Sequence, residues 1–415
     1  MYNYCVLGVL LFTQNKKIKE AYIMNVISER RLVFILAALS AITPLAIDMY
    51  LPVISNMSKA LGVSESQVSI SISIFFLGLA LGQLVGGPVS DAYGRKPMVI
   101  AGLALFCVNS FAIVFVDDVY LLWFFRFLQA FGGGVATVNV SATVRDMFSG
   151  KDSARIFSMI GSISILAPLV APALGLGVIS LFQRWESIFL ILGVYSLTAL
   201  YFYKQNVKIP PKSEKTKITP IKNYLEILTT PKPMLMITAL VISSSGMYAL
   251  LTFSSVMYEK YLGLSKLMFI LCFSMNIITL MLTSRINMRL VRSISPLKIL
   301  KCGVSAQALI GIVLFLLRDS TNPYILAPLI SLFIGMLGFI FGNALSLILD
   351  YFPNISGSAN AIIGVLQYSV GALAGVLVGL FNDGTLFALM CVIMCSSLIA
   401  SAILIFGAKR SKVLA

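Results

Sequence analysis

From Leu32 onward, apolar stretches of about 20 residues recur almost to the end of the chain, separated by short breaks that carry charges, glycine or proline. A helix needs roughly 20 residues to cross a hydrocarbon layer of ~30 Å, so the pattern predicts membrane-spanning helices. The spans fall at 32–54, 67–88, 97–116, 120–143, 155–180, 186–203, 234–257, 266–284, 299–317, 324–349, 360–381 and 385–407. The one long polar connection, KQNVKIPPKSEKTKITPIKNYLEILTTPKP, divides these twelve into six and six. The expected organisation is an N-terminal tail over 1–30, a six-helix bundle over 31–203, a linker over 204–233, a second bundle over 234–408 and a tail over 409–415. Residues 1–23 read as an upstream extension or peripheral tail. Their apolar run is too short to span, and Met24 opens MNVISERR directly before the first clean span.

Composition strengthens this picture. Of 415 residues, 59% are hydrophobic and 11% charged, far from the mix of a soluble domain. The net charge of +15 raises the question of nucleic acid, but no basic face is presented to a phosphate backbone: the basic residues lie between spans. With both termini cytoplasmic, 25 of the 31 Lys and Arg residues fall in cytoplasmic segments and 5 on the opposite side, which fixes the orientation. The lysine-rich linker reads as a solvated loop at the lipid headgroups. The six cysteines have no metal or redox spacing, and histidine is absent, so no metal, cofactor or catalytic constellation is expected. A channel would show rings of polar residues, which the spans lack.

The two halves echo each other: the fifth span of each is rich in glycine, APLVAPALGLG at 167–177 and GALAGVLVG at 371–379. Gly371, Gly375 and Gly379 share one helix face, which lets another backbone approach closely. A six-plus-six repeat points to a transporter, although static packing accounts for such glycines equally well.

Two ionisable groups lie deep in the spans, Asp48 in the first and Arg126 in the fourth. Burying a charge at the bilayer centre costs at least about 2.5 to 3.5 kcal/mol, so each must be paired or face a wet cavity. Each lies six residues from the same end of its span, about 9 Å deep at ~1.5 Å per residue, so the two can meet if their helices are suitably rotated. Arginine does not titrate usefully, which leaves Asp48 as the deep proton-coupling candidate. The competing reading is a permanent Asp48–Arg126 ion pair that only fixes two helices.

GGPVSDAYGRKP (Gly86 to Pro97), between the second and third spans, resembles the loop signature of the major facilitator superfamily, with Gly87, Asp91, Gly94, Arg95 and Lys96 in their expected places. DMYLP (Asp48 to Pro52), RFLQAFGGG (Arg126 to Gly134), VRDMF (144–148) and LAPLVAPALGLG (Leu166 to Gly177) are similar to motifs of proton-coupled drug antiporters of the bicyclomycin-resistance (Bcr/CflA) family. The resemblance is specific over about 31–190 and architectural afterwards. It implies an all-α fold of two six-helix bundles rocking around a central cavity, in a bacterial inner membrane. Proton entry would drive export of small amphipathic compounds by a monomer. By it, Asp48 would be the proton-coupling acid, Arg126, Gln129 and Tyr248 would belong to the substrate or proton pathway, and Pro168, Pro172, Gly175 and Gly177 would form an antiporter bend. Asp91, Arg95 and Asp146 would form an inner-face cluster latching the bundles, against the start of the eleventh helix near Ser358 or with a purely topological role.

The chain departs from the pattern in three places. TSRINMRLVRS (Thr283 to Ser293) keeps the basic residues of the loop signature without its acid, Leu176 splits the glycines of the fifth span, and Ser255-Val256 stands where relatives often have Ser-Pro. The second half has no deep charge, so its substrate contacts are expected among Tyr248, Asn276, Asn343 and Gln367. A metabolite exporter or facilitator on the same scaffold is the alternative to drug efflux.

Overall fold

The computed structural model describes residues 31–148, 150–207, 220–353 and 355–410. The expected tails over 1–30 and beyond 410 lie outside the described residues, as does much of the linker. Every described span is helical. In chain order these are α1 (Arg31–Leu61), α2 (Glu65–Tyr93), α3 (Arg95–Ile113), α4 (Val119–Met147), α5 (Gly150–Phe182), α6 (Glu186–Asn206), α7 (Pro231–Tyr261), α8 (Lys266–Leu290), α9 (Pro296–Leu316), α10 (Pro323–Leu349), α11 (Ser356–Leu380) and α12 (Phe387–Arg410). Eleven of them are long and apolar enough to cross a membrane, and α5 contributes a shorter apolar stretch, Leu166–Phe182. The first bundle closes three residues later than expected, at Asn206, and the second opens at Pro231. A connecting helix, Pro220–Thr229, lies within the linker and buries Ile227 in the core of the second half.

Three of the described helices are interrupted. In α1 the helix runs to Asp48, turns at Met49 and Tyr50, forms a 3-10 turn over Leu51–Val53 and resumes at Ile54. Pro52 has no N–H to give the Asp48 carbonyl four residues back, and its ring crowds that carbonyl, so the break falls here. In α7 the α-helix gives way at Val256 to a π-helical segment, Val256–Tyr261. The chain therefore widens its winding at the place where a proline was expected by resemblance. A turn at Met336 divides α10 into two shorter helices.

Glycine sets the spacing of the first half. An added Cβ at Gly82 in α2 would collide with the Phe131 carbonyl of α4, one at Gly134 in α4 with the Leu79 carbonyl of α2, and one at Gly132 with the Gly102 carbonyl of α3. The GGG of α4 thus meets helices on opposite sides at backbone contact distance, where dispersion is strongest. Between halves, α2 runs beside α11 and α5 beside α8. As the shared helix face requires, Gly371 abuts Tyr248, Gly375 abuts Ser73 and Thr252, and Gly379 abuts Ile70.

The two glycines of α5 differ. Gly175 lies directly against the Met49 carbonyl at the α1 break, whereas Gly177 is exposed with open space beside it. Gly175→Ala is expected to destabilise the protein by about 1 to 3 kcal/mol through overpacking, and Gly177→Ala to leave it unchanged. Thermal melts of the purified variants in detergent, followed by size-exclusion recovery, measure the contrast.

Candidate functional site

Between the halves lies a cavity of about 400 Å³, with walls from α1, α2, α4 and α5 on one side and α7, α8, α10 and α11 on the other. Among the described residues, Asp48 is the only charged one in its lining. The remaining wall is mostly apolar, with Thr43, Gln83 and Asn276 among its polar groups. Asp48 is 4% exposed, and its Oδ1 is buried with no hydrogen-bond partner. Pro168 of α5 also lines the cavity.

Arg126 stands behind this wall. Its Nη1 donates to the Ala46 carbonyl at 3.1 Å and to Gln129 Oε1 at 2.8 Å. Gln129 Nε2 donates in turn to Ser110 Oγ at 2.7 Å. The guanidinium carbon lies 4.2 Å from the centre of the Phe75 ring, 4.8 Å from that of Tyr50 and 5.6 Å from that of Phe189. Tyr50 is fixed by a 2.7 Å hydrogen bond between its hydroxyl and Ser71 Oγ. Cation–π attraction to three rings stabilises the ion where water is excluded, at about 2 kcal/mol for a desolvated contact. No ion pair joins Arg126 to Asp48: the two reach one level of the membrane, but the guanidinium is turned to the backbone of α1, one turn before its break. The permanent salt bridge raised as a possibility from the sequence is not formed. Neither Arg126 nor Gln129 lines the cavity.

Sequence reasoning named Tyr248 but missed its aromatic partners, Phe76 and Tyr368. Phe76 of α2 meets Tyr248 of α7 edge-on at 4.9 Å and stacks on Tyr368 of α11 at 5.9 Å, while the two tyrosines lie 5.6 Å apart. All three line the cavity and join the halves across it. Of the polar positions proposed for the second half, Tyr248 and Asn276 reach the cavity. Asn343 Nδ2 instead donates to Asn287 Oδ1 at 2.8 Å, and Gln367 Nε2 to Ser244 Oγ at 3.0 Å, so both serve packing inside the half. A pattern of polar residues in apolar spans flags all four positions, and only helix rotation separates them.

The loop signature is assembled as its residue types require. Gly94, at φ 97°, joins α2 to α3 in a backbone conformation that side chains resist. Arg95 pairs with Asp91 at 2.5 Å and Asp146 at 3.2 Å and donates to Ser90 Oγ at 2.6 Å, so the three expected charges meet within the first half. Lys96 Nζ donates to the Lys204 carbonyl at the end of α6, at 2.9 Å. Gly87 faces Tyr224 of the connecting helix, whose phenol is pushed up by burial and by the Asp91 carboxylate.

The family model described as Major Facilitator Superfamily matches residues 36–376. The chain is 32% identical to a bicyclomycin resistance protein homolog of Haemophilus influenzae over 353 residues, covering 83% of this chain and 87% of that relative. It is 26% identical to the multidrug resistance protein MdtL of Vibrio parahaemolyticus, covering 90% and 94%. The solved structure of a D-xylose-proton symporter shares the fold with a TM-score of 0.74 at 14% identity, over 90% of this chain and 97% of that one. With twelve helices in two six-helix halves around a shared cavity, the chain belongs to the Major Facilitator Superfamily of membrane transporters.

Proposed function

We propose that the protein is a proton-driven efflux transporter that exports small amphipathic compounds from the bacterial cytoplasm across the inner membrane, both termini facing the cytoplasm. The drug-resistance names of its relatives support the substrate class, and the asymmetry of basic residues supports the orientation. The observation that carries the coupling is Asp48: a carboxyl in the wall of the cavity between the halves, free of the nearby guanidinium. A carboxyl locked to an arginine stays ionised, whereas one that borders a cavity opening to either side in turn exchanges its proton with each. Arg126 and Gln129 serve as a fixed bracket behind it, holding the Ala46 carbonyl beside the α1 break that carries the acid. The Arg95, Asp91 and Asp146 cluster acts as the inner-face latch of one state.

The cavity favours substrates with a flat apolar part, which the Phe76, Tyr248 and Tyr368 rings accommodate, and one polar or cationic group within reach of Asp48. Alternating access then requires that the rings part when the halves tilt, since Phe76 belongs to one half and the tyrosines to the other.

In proteoliposomes with an imposed pH gradient, Asp48→Asn is expected to abolish uphill export while retaining substrate exchange. Uphill transport by that variant at the wild-type rate rejects Asp48 as the coupling acid, and wild-type transport indifferent to the gradient points to a facilitator. Tyr248→Ala is expected to weaken binding of an aromatic substrate about 2- to 10-fold, from a loss of about 0.5 to 1.5 kcal/mol per aromatic contact, with Tyr248→Phe near wild type. Equilibrium binding to the purified variants reads this out. Arg126→Lys is expected to fold but transport slowly, because an ammonium cannot hold the carbonyl, the amide and three ring faces together. Initial export rates at matched protein density measure the loss.

A further inference from the structure

The connection between α8 and α9 repeats the basic residues of the α2–α3 loop signature without its acid, and the two places are built differently. In the first half Arg95 is held by Asp91 and Asp146, and Lys96 by the Lys204 carbonyl. In the second half Arg285, Arg289 and Arg292 are exposed, and among the described residues none of their guanidiniums has an ion pair or a hydrogen bond. Asp350, exposed just past α10, pairs with none of them, although α10 packs against both α8 and α9. The first turn of α9 holds no acid and adds a further exposed cation, Lys298.

These arginines continue a stripe. Leu271, Ile278, Leu282, Arg285 and Arg289 follow one another at intervals of three, four or seven residues, so they share one face of α8, and Arg292 follows in the turn just past it. Leu271, Ile278 and Leu282 are 54%, 48% and 56% exposed, so no protein covers this face. The opposite face of the helix gives Phe273, Asn276, Ile277 and Leu280 to the cavity, and the stripe therefore points outward into lipid. At ~1.5 Å per residue its apolar part runs for about 16 Å, close to half of a ~30 Å hydrocarbon core, and the guanidiniums occupy the next ~10 Å. A phospholipid of one leaflet has the same order, chains and then phosphate. Guanidinium offers forked pairs of N–H groups that match phosphate oxygens, and a headgroup with no cation of its own meets no repulsion there.

We propose that this face of α8 is a binding site for an anionic phospholipid, its phosphate held by Arg285, Arg289 and Arg292 and an acyl chain lying along Leu282, Ile278 and Leu271. The lipid supplies from outside the negative charge that Asp91 and Asp146 supply to Arg95 in the first half. Since α8 carries the lipid on one face and cavity residues on the other, the lipid anchors a helix of the cavity wall. The inference rests neither on proton coupling at Asp48 nor on the nature of the exported compound.

The test is native mass spectrometry of the full-length protein in detergent, titrated with dioleoyl phosphatidylglycerol, with dioleoyl phosphatidylethanolamine as the zwitterionic control. The wild type is expected to bind the anionic lipid more tightly than the control. Arg285→Gln, Arg289→Gln and Arg292→Gln combined are expected to abolish that preference, with affinity falling about 5-fold per arginine and about 100-fold in all. The same three positions changed to lysine are expected to keep most of it. Lys204→Gln, Lys222→Gln and Lys232→Gln combined, which remove the same charge around the linker, are expected to bind as the wild type does. A triple glutamine variant at the arginines that binds phosphatidylglycerol like the wild type overturns the site. An equal loss in the linker variant also overturns it, leaving a diffuse attraction to net charge. Displacement of the lipid by millimolar inorganic phosphate, which has the charge without the chains, overturns it in favour of a soluble anion. If the triple variant does not fold, the single glutamine variants decide, each expected to lose about 5-fold and each overturning the site if none does.

Discussion

A guanidinium that keeps its charge under all physiological conditions is buried in the first half, and the surrounding structure is arranged to tolerate it. Arg126 finds no carboxylate. It is stabilised by a backbone carbonyl, an amide and three ring faces drawn from α1, α2 and α6. Because those groups come from four helices, counting α4 itself, satisfying the ion fixes how the helices meet. The carbonyl it takes is that of Ala46, and two residues later Asp48 faces the cavity. The acid stays unpaired although only Nη1 of the guanidinium is taken, by Ala46 and Gln129; its Nε and Nη2 are buried without hydrogen-bond partners among the described residues.

The rest of the first half reads as a consequence of close backbone approach. Gly82, Gly132 and Gly134 bring α2, α3 and α4 into contact without side chains between them, and Gly175 allows α5 to lie on the α1 break. Such contacts are rigid. Between halves the pattern changes to aromatic rings in the middle and small polar groups at one end, contacts that separate and reform at modest cost. The molecule is stiff where helices of one half meet and separable where the two halves meet, as a rocking carrier requires.

Much of the architecture was legible because spans, their even number, the basic asymmetry and the lysine-rich linker are one-dimensional signals. Asp48 was legible for the same reason: an acid in an apolar run is conspicuous. Its lack of a partner was not, since depth along two helices can be counted but rotation about them cannot. The cage of Arg126 was hidden because Tyr50, Phe75 and Phe189 look like ordinary apolar lining in their own spans. Asn343 and Gln367 resembled cavity residues until their hydrogen bonds to Asn287 and Ser244 turned them inward. The winding of α7 was foreshadowed only by a missing proline at Val256, which marks an irregularity without giving its form.

The distribution of formal charge has an electrical meaning. Both deep ionisable groups ride on the first half, and among the described residues the wall that the second half contributes to the cavity carries none. An electric field does work only on net charge that moves through it, at about 2.3 kcal/mol per elementary charge per 100 mV. With Asp48 ionised, the first half presents a neutral pair of unbonded opposites; with Asp48 protonated, it presents the lone positive charge of Arg126. Under the proposed coupling at Asp48, the membrane voltage would discriminate between the loaded and unloaded strokes through an arginine that never changes its own ionisation.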